Sequence, residues 1–154
     1  MKPTSPITRS PELKPFSHDH HHGLLLCWKI KTGMAKNIEL PHIRKYVDWF
    51  YETHLKGHFL LEEKYIFPIL EPDNQLVIQA LKEHRALRKL FETAWDLEAN
   101  LKSIEKELDL HIRFEERILF AEIQKAATKE QLKKIEEIHS KEAFIDNEDA
   151  DFWS

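Results

Sequence analysis

The sequence is poor in cysteine, glycine and long apolar runs, and each scarcity removes a class of protein. Cys27 is the only cysteine, so no internal disulfide can form, and its apolar neighbours suit a buried thiol. No stretch is long enough to span a bilayer, and the opening residues MKPTSPITRSPELKPFS lack the apolar core of a secretory signal. The chain therefore reads as soluble and cytoplasmic, with no membrane partner. No stretch is dominated by Lys and Arg, acids are interleaved with them over most of the chain, and the net charge is -4. That argues against nucleic acid as a partner. Three glycines among 154 residues, with abundant Leu, Ile, Glu and Lys, read as one all-α domain. Histidine is what the sequence has in excess, ten in all.

Pro3, Pro6, Pro11 and Pro15 suit an extended arm over residues 1–16, ahead of a bundle over 17–145 and an acidic tail over 146–154. Ser17 is the expected N-cap of a first helix over His18–Met34, ending near Gly33 and Asn37. Pro41 opens a second helix that Pro68 and Pro72 stop after Phe67. Asp73 or Asn74 caps a third helix through Phe91. The next turn, unmarked by Gly or Pro, is expected within Ala94–Asn100, and a fourth helix runs to Ala126. Thr128 and Gln131 match a capping box and open a short fifth helix ending near Lys141. Phe152 and Trp153 are the tail residues that could dock on the bundle.

One device occurs twice. His58-Phe-Leu-Leu-Glu62-Glu63-Lys64-Tyr65-Ile66-Phe67 recurs as His111-Ile-Arg-Phe-Glu115-Glu116-Arg117-Ile118-Leu119-Phe120. A His and a Glu four residues apart stack on one helix face, so both reach a point beside it. Imidazole nitrogen and carboxylate oxygen suit iron, manganese or zinc, and a carboxylate can bridge two ions. A single such pair is expected by chance among so many His and Glu, so position carries the argument. The helical stripes run Val47, Tyr51, His54, His58, Glu62, Tyr65, Ile69 and Leu101, Ile104, Leu108, His111, Glu115, Ile118. Each polar pair interrupts a mainly apolar, inward-facing stripe. An ionised carboxylate there costs several kcal/mol unless a cation or proton meets it. The bland alternative is a satisfied His–Glu pair on each helix, which two matching copies make the weaker reading.

Helix three adds His84 on the stripe Val77, Leu81, His84, Leu87, Phe91. Helix one offers His18, His20, His21 and His22, of which His20 lies with Leu24, Cys27 and Met34, opposite Lys29 and Lys36. His20 is therefore the expected ligand and His21 the reserve. His18 and His22 fit a loose surface chelator. Glu63 and Glu116, one residue round from the stripes, could accept hydrogen bonds from ligating histidines. His42 and His139 read as exposed.

The order His, HxxxE, His, HxxxE, carried by DHHHGLLL, GHFLLEEKYIFP, KEHRAL and DLHIRFEERILF, resembles the hemerythrin-like (HHE cation-binding) family over residues 18–126. Ferritin-like bundles use Glu-x-x-His pairs, and the Glu136 to His139 pair of that kind lies on the short last helix, outside the repeat. The resemblance implies an up-down four-helix bundle, here with the short fifth helix. It also implies two iron ions bridged by two carboxylates and an oxo or hydroxo oxygen, with zinc or manganese as substitutes. Carried over, His20, His58, His84 and His111 are terminal ligands, and Glu62 and Glu115 are bridges. Oxygen-carrying members have a second His one turn after the helix-three ligand. Arg88 stands there and does not ligate metal. His54 or His21 is left as the one residue that could supply a missing donor.

The expected function is binding or sensing of dioxygen or nitric oxide at a di-iron centre, or a role in redox and iron-related stress. A di-iron oxidoreductase activating oxygen or peroxide is the alternative, and an interaction module with structural histidines the third reading. The expected ligand is a small gas, and any signalling output needs a partner protein or an oligomer.

Overall fold

The computed structural model describes residues 9–93, 95–139 and 152–153, which are helical with no strand among them. The ends of the arm and tail, Ala94 and the expected helix end at Lys141 lie outside that range. Helix α1 spans Lys14–Ala35 and follows a 3-10 turn at Pro11–Leu13. The extended arm expected up to residue 16 is thus helical from Pro11. Pro11 and Pro15 both fall in first turns, where the missing N–H has no intrahelical partner to lose. Asn37, with φ 59°, turns the chain after α1. Helix α2, Leu40–Phe50, starts with Pro41 in its first turn and continues without a break through α3, Lys56–Leu61, to residue 69.

Helix α4, Gln75–Glu92, is capped by Asn74, whose side chain accepts from Leu76 N at 2.9 Å. Asp96, at φ 52°, caps α5, Leu97–Phe114, so the turn is tighter and earlier than the expected Ala94–Asn100. Side chains from elsewhere hold it in place of a glycine. Arg44 of α2 donates to the carbonyls of Leu90, Phe91 and Thr93 and to the Asn100 side-chain oxygen. Asn100 in turn donates to the Leu90 and Thr93 carbonyls. Helix α5 runs on into α6, Phe120–Ala126, and the Thr128–Gln131 capping box starts α7, Lys129–Ile138.

Three stretches are π-helical: Tyr51–Leu55, Glu62–Ile66 and Glu115–Leu119. Each widens the helix by a residue and turns the following side chains off the regular period, a feature common at functional sites. Downstream of Glu62 the buried residues are therefore Ile66 and Phe67, while Tyr65 and Ile69 are only half buried. Downstream of Glu115, Leu119 and Phe120 are buried and the expected Ile118 is exposed.

Two apolar clusters form the core. One gathers Leu26, Ile30, Tyr46, Val47, Phe59, Leu87, Leu108 and Ile112, and the other Phe16, Ile66, Phe67, Ala80, Leu119, Phe120 and Ile135. Helix α1 passes from the second cluster to the first, residues 40–69 from first to second, α4 back again, and α5 with α6 from first to second. On each pass the chain puts polar residues between the clusters. Helix α1 packs most extensively on α5, where a Cβ on Gly23 would stand 2.6 Å from Ile112 Cδ1. Phe152 closes one end of the first cluster against Gly33 and Tyr46. Lys29, expected on the polar side of α1, is buried there: it donates to the Tyr46 hydroxyl at 2.9 Å and lies 4.0 Å over the Trp153 ring. Cys27 is buried as expected, and burial raises its thiol pKa far above the ordinary range.

Candidate metal centre

Between the two clusters the structure brings together His20, His58, Glu62, His84, His111 and Glu115, each no more than 4% exposed. His58 and Glu62 stand one turn apart, with Nε2 and Oε2 at 3.2 Å, and His111 and Glu115 repeat this at 2.7 Å to Oε1. His84 comes from the regular helix α4, and His20 from α1 where that helix crosses between the clusters. The atoms fall into two groups, His20–His58–Glu62–Glu115 and Glu62–His84–His111–Glu115, which share both carboxylates.

The sharing is ordered atom by atom. Oε2 of Glu62 faces His20 and His58 at 3.4 and 3.2 Å, while its Oε1 faces His84 at 3.2 Å. Oε2 of Glu115 faces His20 at 2.9 Å, while its Oε1 faces His84 and His111 at 3.3 and 2.7 Å. Each carboxylate thus turns one oxygen towards the His20–His58 side and the other towards the His84–His111 side. Only the His84–Glu115 contact has hydrogen-bond geometry. Nε2 of His20, His58 and His111, both oxygens of Glu62 and Oε2 of Glu115 are buried without a hydrogen-bond partner.

The outer face of every imidazole explains why. Nδ1 of His20, His58, His84 and His111 meets Glu116 at 2.6 Å, Asp19 at 2.9 Å, Glu63 at 2.6 Å and Glu83 at 2.6 Å. Burial alone would raise each of these four carboxyls, but hydrogen bonds to histidine outweigh it and hold all four below the ordinary range. An ionised carboxylate only accepts, so each Nδ1 carries a proton, and a ring that holds only that proton turns a lone pair inward. Four nitrogen lone pairs and four carboxylate oxygens then face one another. Such an array needs positive charge among it. Donors held at about 2.1 Å and at right angles stand about 3.0 Å apart, within the range of spacings seen here. The donor set therefore fits metal ions, and these buried groups could hold them.

Without metal, protons must supply the charge. Burial lowers the pKa of His58, yet the Glu62 charge and the hydrogen bond to Asp19 lift it to about 9. His20 and His84 move well above the usual value against the same burial, through Glu115 first. Glu62 is held low by His58 and Glu115 lower still by His111, although burial opposes both.

Comparisons with protein-family models, curated proteins and solved structures gave no match.

The reserve donors lie elsewhere. His21 is exposed, and His54 packs against the Trp49 and Phe50 rings. Arg88 binds Glu63 at 2.8 Å, behind His84. Glu63 and Glu116 take the supporting positions read from their place beside the stripes, whereas Asp19 and Glu83 were not foreseen. Their signal is adjacency: Asp19 precedes His20 and Glu83 precedes His84. His42 is exposed, but His139, also expected to be, is half buried and bonds Asp19 at 2.7 Å. Among the described residues no helix is long and apolar enough to cross a membrane.

Proposed function

We propose that this chain is a hemerythrin-like di-metal protein that holds two iron ions and binds or senses dioxygen or nitric oxide. The observation that carries the reading is the division of Glu62 and Glu115, oxygen by oxygen, between two histidine pairs. His20 and His58 would hold one ion, His84 and His111 the other, with Glu62 and Glu115 bridging. The alternating passage of four helical segments between the two apolar clusters supports an up-down four-helix bundle, with α7 as the short fifth helix. Bound there, iron would supply one-electron redox change and a coordination position for a diatomic gas.

The chain's own residues set the conditions. Four outer carboxylates fix the imidazole tautomers, and the apolar layers on both sides exclude bulk water. Two imidazoles and two carboxylate oxygens per ion leave octahedral positions open. Helix α4 offers no further imidazole: one turn after His84 stands Arg88, which is engaged with Glu63. That favours a sensor or redox protein over a reversible carrier. Mixing the reduced, iron-loaded protein with dioxygen or nitric oxide tests the proposal. One stoichiometric absorption change fits gas binding or sensing. Continued consumption of a supplied reductant would instead make the protein an oxidoreductase.

A further inference from the structure

Asp19 is placed unlike the other three supporting carboxylates. Its Oδ2 takes hydrogen bonds from two imidazoles, Nδ1 of His58 at 2.9 Å and Nε2 of His139 at 2.7 Å. His139 stands at the C-terminal end of α7, and the buried ring of Phe16 packs against both histidines, with centroids 5.7 Å from His58 and 4.6 Å from His139. Helix α7 rests on the turn at Pro11–Leu13, and its Ile135 joins Leu13 and Phe16 in the second apolar cluster. A continuous path of contacts thus runs from α7 through His139 and Asp19 to His58. The carboxylates behind the other three histidines have different supports: Arg9 on Glu116, Arg88 on Glu63 and Gln79 on Glu83.

We propose that His139 is a positioning residue for the His20–His58 half of the site, so that the seating of α7 and metal retention in that half are coupled. This rests on the di-metal reading above. Asp19 projects from α1 with about a third of its side chain exposed, so one bond to His58 leaves it free to turn towards water. The second bond, from His139, removes that freedom and so fixes the ring of His58. Loss of a partner directly behind a ligand costs about 10- to 100-fold in metal affinity. His139 lies one bond further out, which places its effect near the lower end, about tenfold. The His84–His111 half, braced by Glu63 and Glu83, has no such link to α7 among the described residues.

The test loads wild type, His139→Ala and His139→Gln with cobalt and follows release of each equivalent to excess chelator, alongside thermal melts of the metal-free forms. In His139→Ala one of the two equivalents should leave about tenfold sooner and the other at the wild-type rate. His139→Gln, whose amide N–H can still donate to Asp19, should stay close to wild type. Equal acceleration of both equivalents, no acceleration of either, or a Gln variant as leaky as the Ala variant would each overturn the proposal. A wild-type chain that retains no stoichiometric cobalt would overturn the di-metal reading instead.

Discussion

Without metal, protons on the histidines balance the buried carboxylates, and this fixes how stability responds to pH. His58 is fully buried beside Glu62, and its pKa rises from 6.5 to about 9. A raised pKa contributes stability that is fully present below the unfolded value and lost as pH climbs through the folded one. The difference corresponds to about 3 kcal/mol for His58 alone. A domain of this size moves by about 2–4 °C per kcal/mol, so the metal-free melting temperature should fall by about 6–12 °C between pH 6.5 and 9. Glu62 and Glu115 act at the other end. Their lowered values give stability present above pH 4.5 and lost on acidification. Metal-free protein should therefore be most stable between about pH 5 and 6.5. In the loaded protein the ions already hold the imidazoles deprotonated, so the alkaline fall should vanish and acid alone should destabilise, by releasing metal. Circular dichroism melts of chelator-stripped and reloaded protein across this range decide the matter. A metal-free melting temperature that stays flat from pH 6.5 to 9 would refute the reasoning.

Removing one supporting carboxylate, by Glu83→Gln behind His111, should weaken metal binding about tenfold or more in a chelator competition titration while the fold stays intact. His21→Ala and His54→Ala should leave metal content at the wild-type level, since neither residue joins the cluster; a loss in either, read by metal analysis, would mean that it ligates. Arg44→Ala, which removes the hydrogen bonds to Leu90, Phe91 and Thr93 at the end of α4 and leaves Asn100 alone there, should cost about 3 kcal/mol in urea unfolding. That variant should still bind metal, because Arg44, on α2, is bonded to the α4–α5 turn and not to the His–Glu cluster.

How far the sequence could be read depends on how regular the helix is at each point. The His–Glu repeat is legible because each Glu lies one α-helical turn after its His, even though the π-helical Tyr51–Leu55 ahead of His58 buries Leu55 where the stripe expects His54. Beyond each Glu the backbone becomes π-helical, so Tyr65 and Ile118 fall outside a stripe that continues through Ile66 and Leu119. Periodicity has no way to show an inserted residue. The α4–α5 turn is hard to place for another reason: its carbonyls are satisfied by Arg44 and Asn100 rather than by a local glycine. Asp19 and Glu83 are missed because they lie beside single histidines, outside the repeated His–Glu device that draws Glu63 and Glu116 into view. His139 looks like surface in a short amphipathic helix, and only its distance to Asp19 reveals otherwise.

The central claim is that two ions share Glu62 and Glu115, and metal stoichiometry in paired variants addresses it most directly. Wild-type protein loaded with iron without oxygen, then desalted, should carry about two ions per chain by elemental analysis. His58→Ala and His111→Ala each strip one half and should each fall towards one ion, whereas the double replacement Glu62→Ala, Glu115→Ala removes what both halves share and should retain none. A wild-type chain with less than half an equivalent of iron, zinc or manganese after loading, or unchanged content in both histidine variants, would contradict the account.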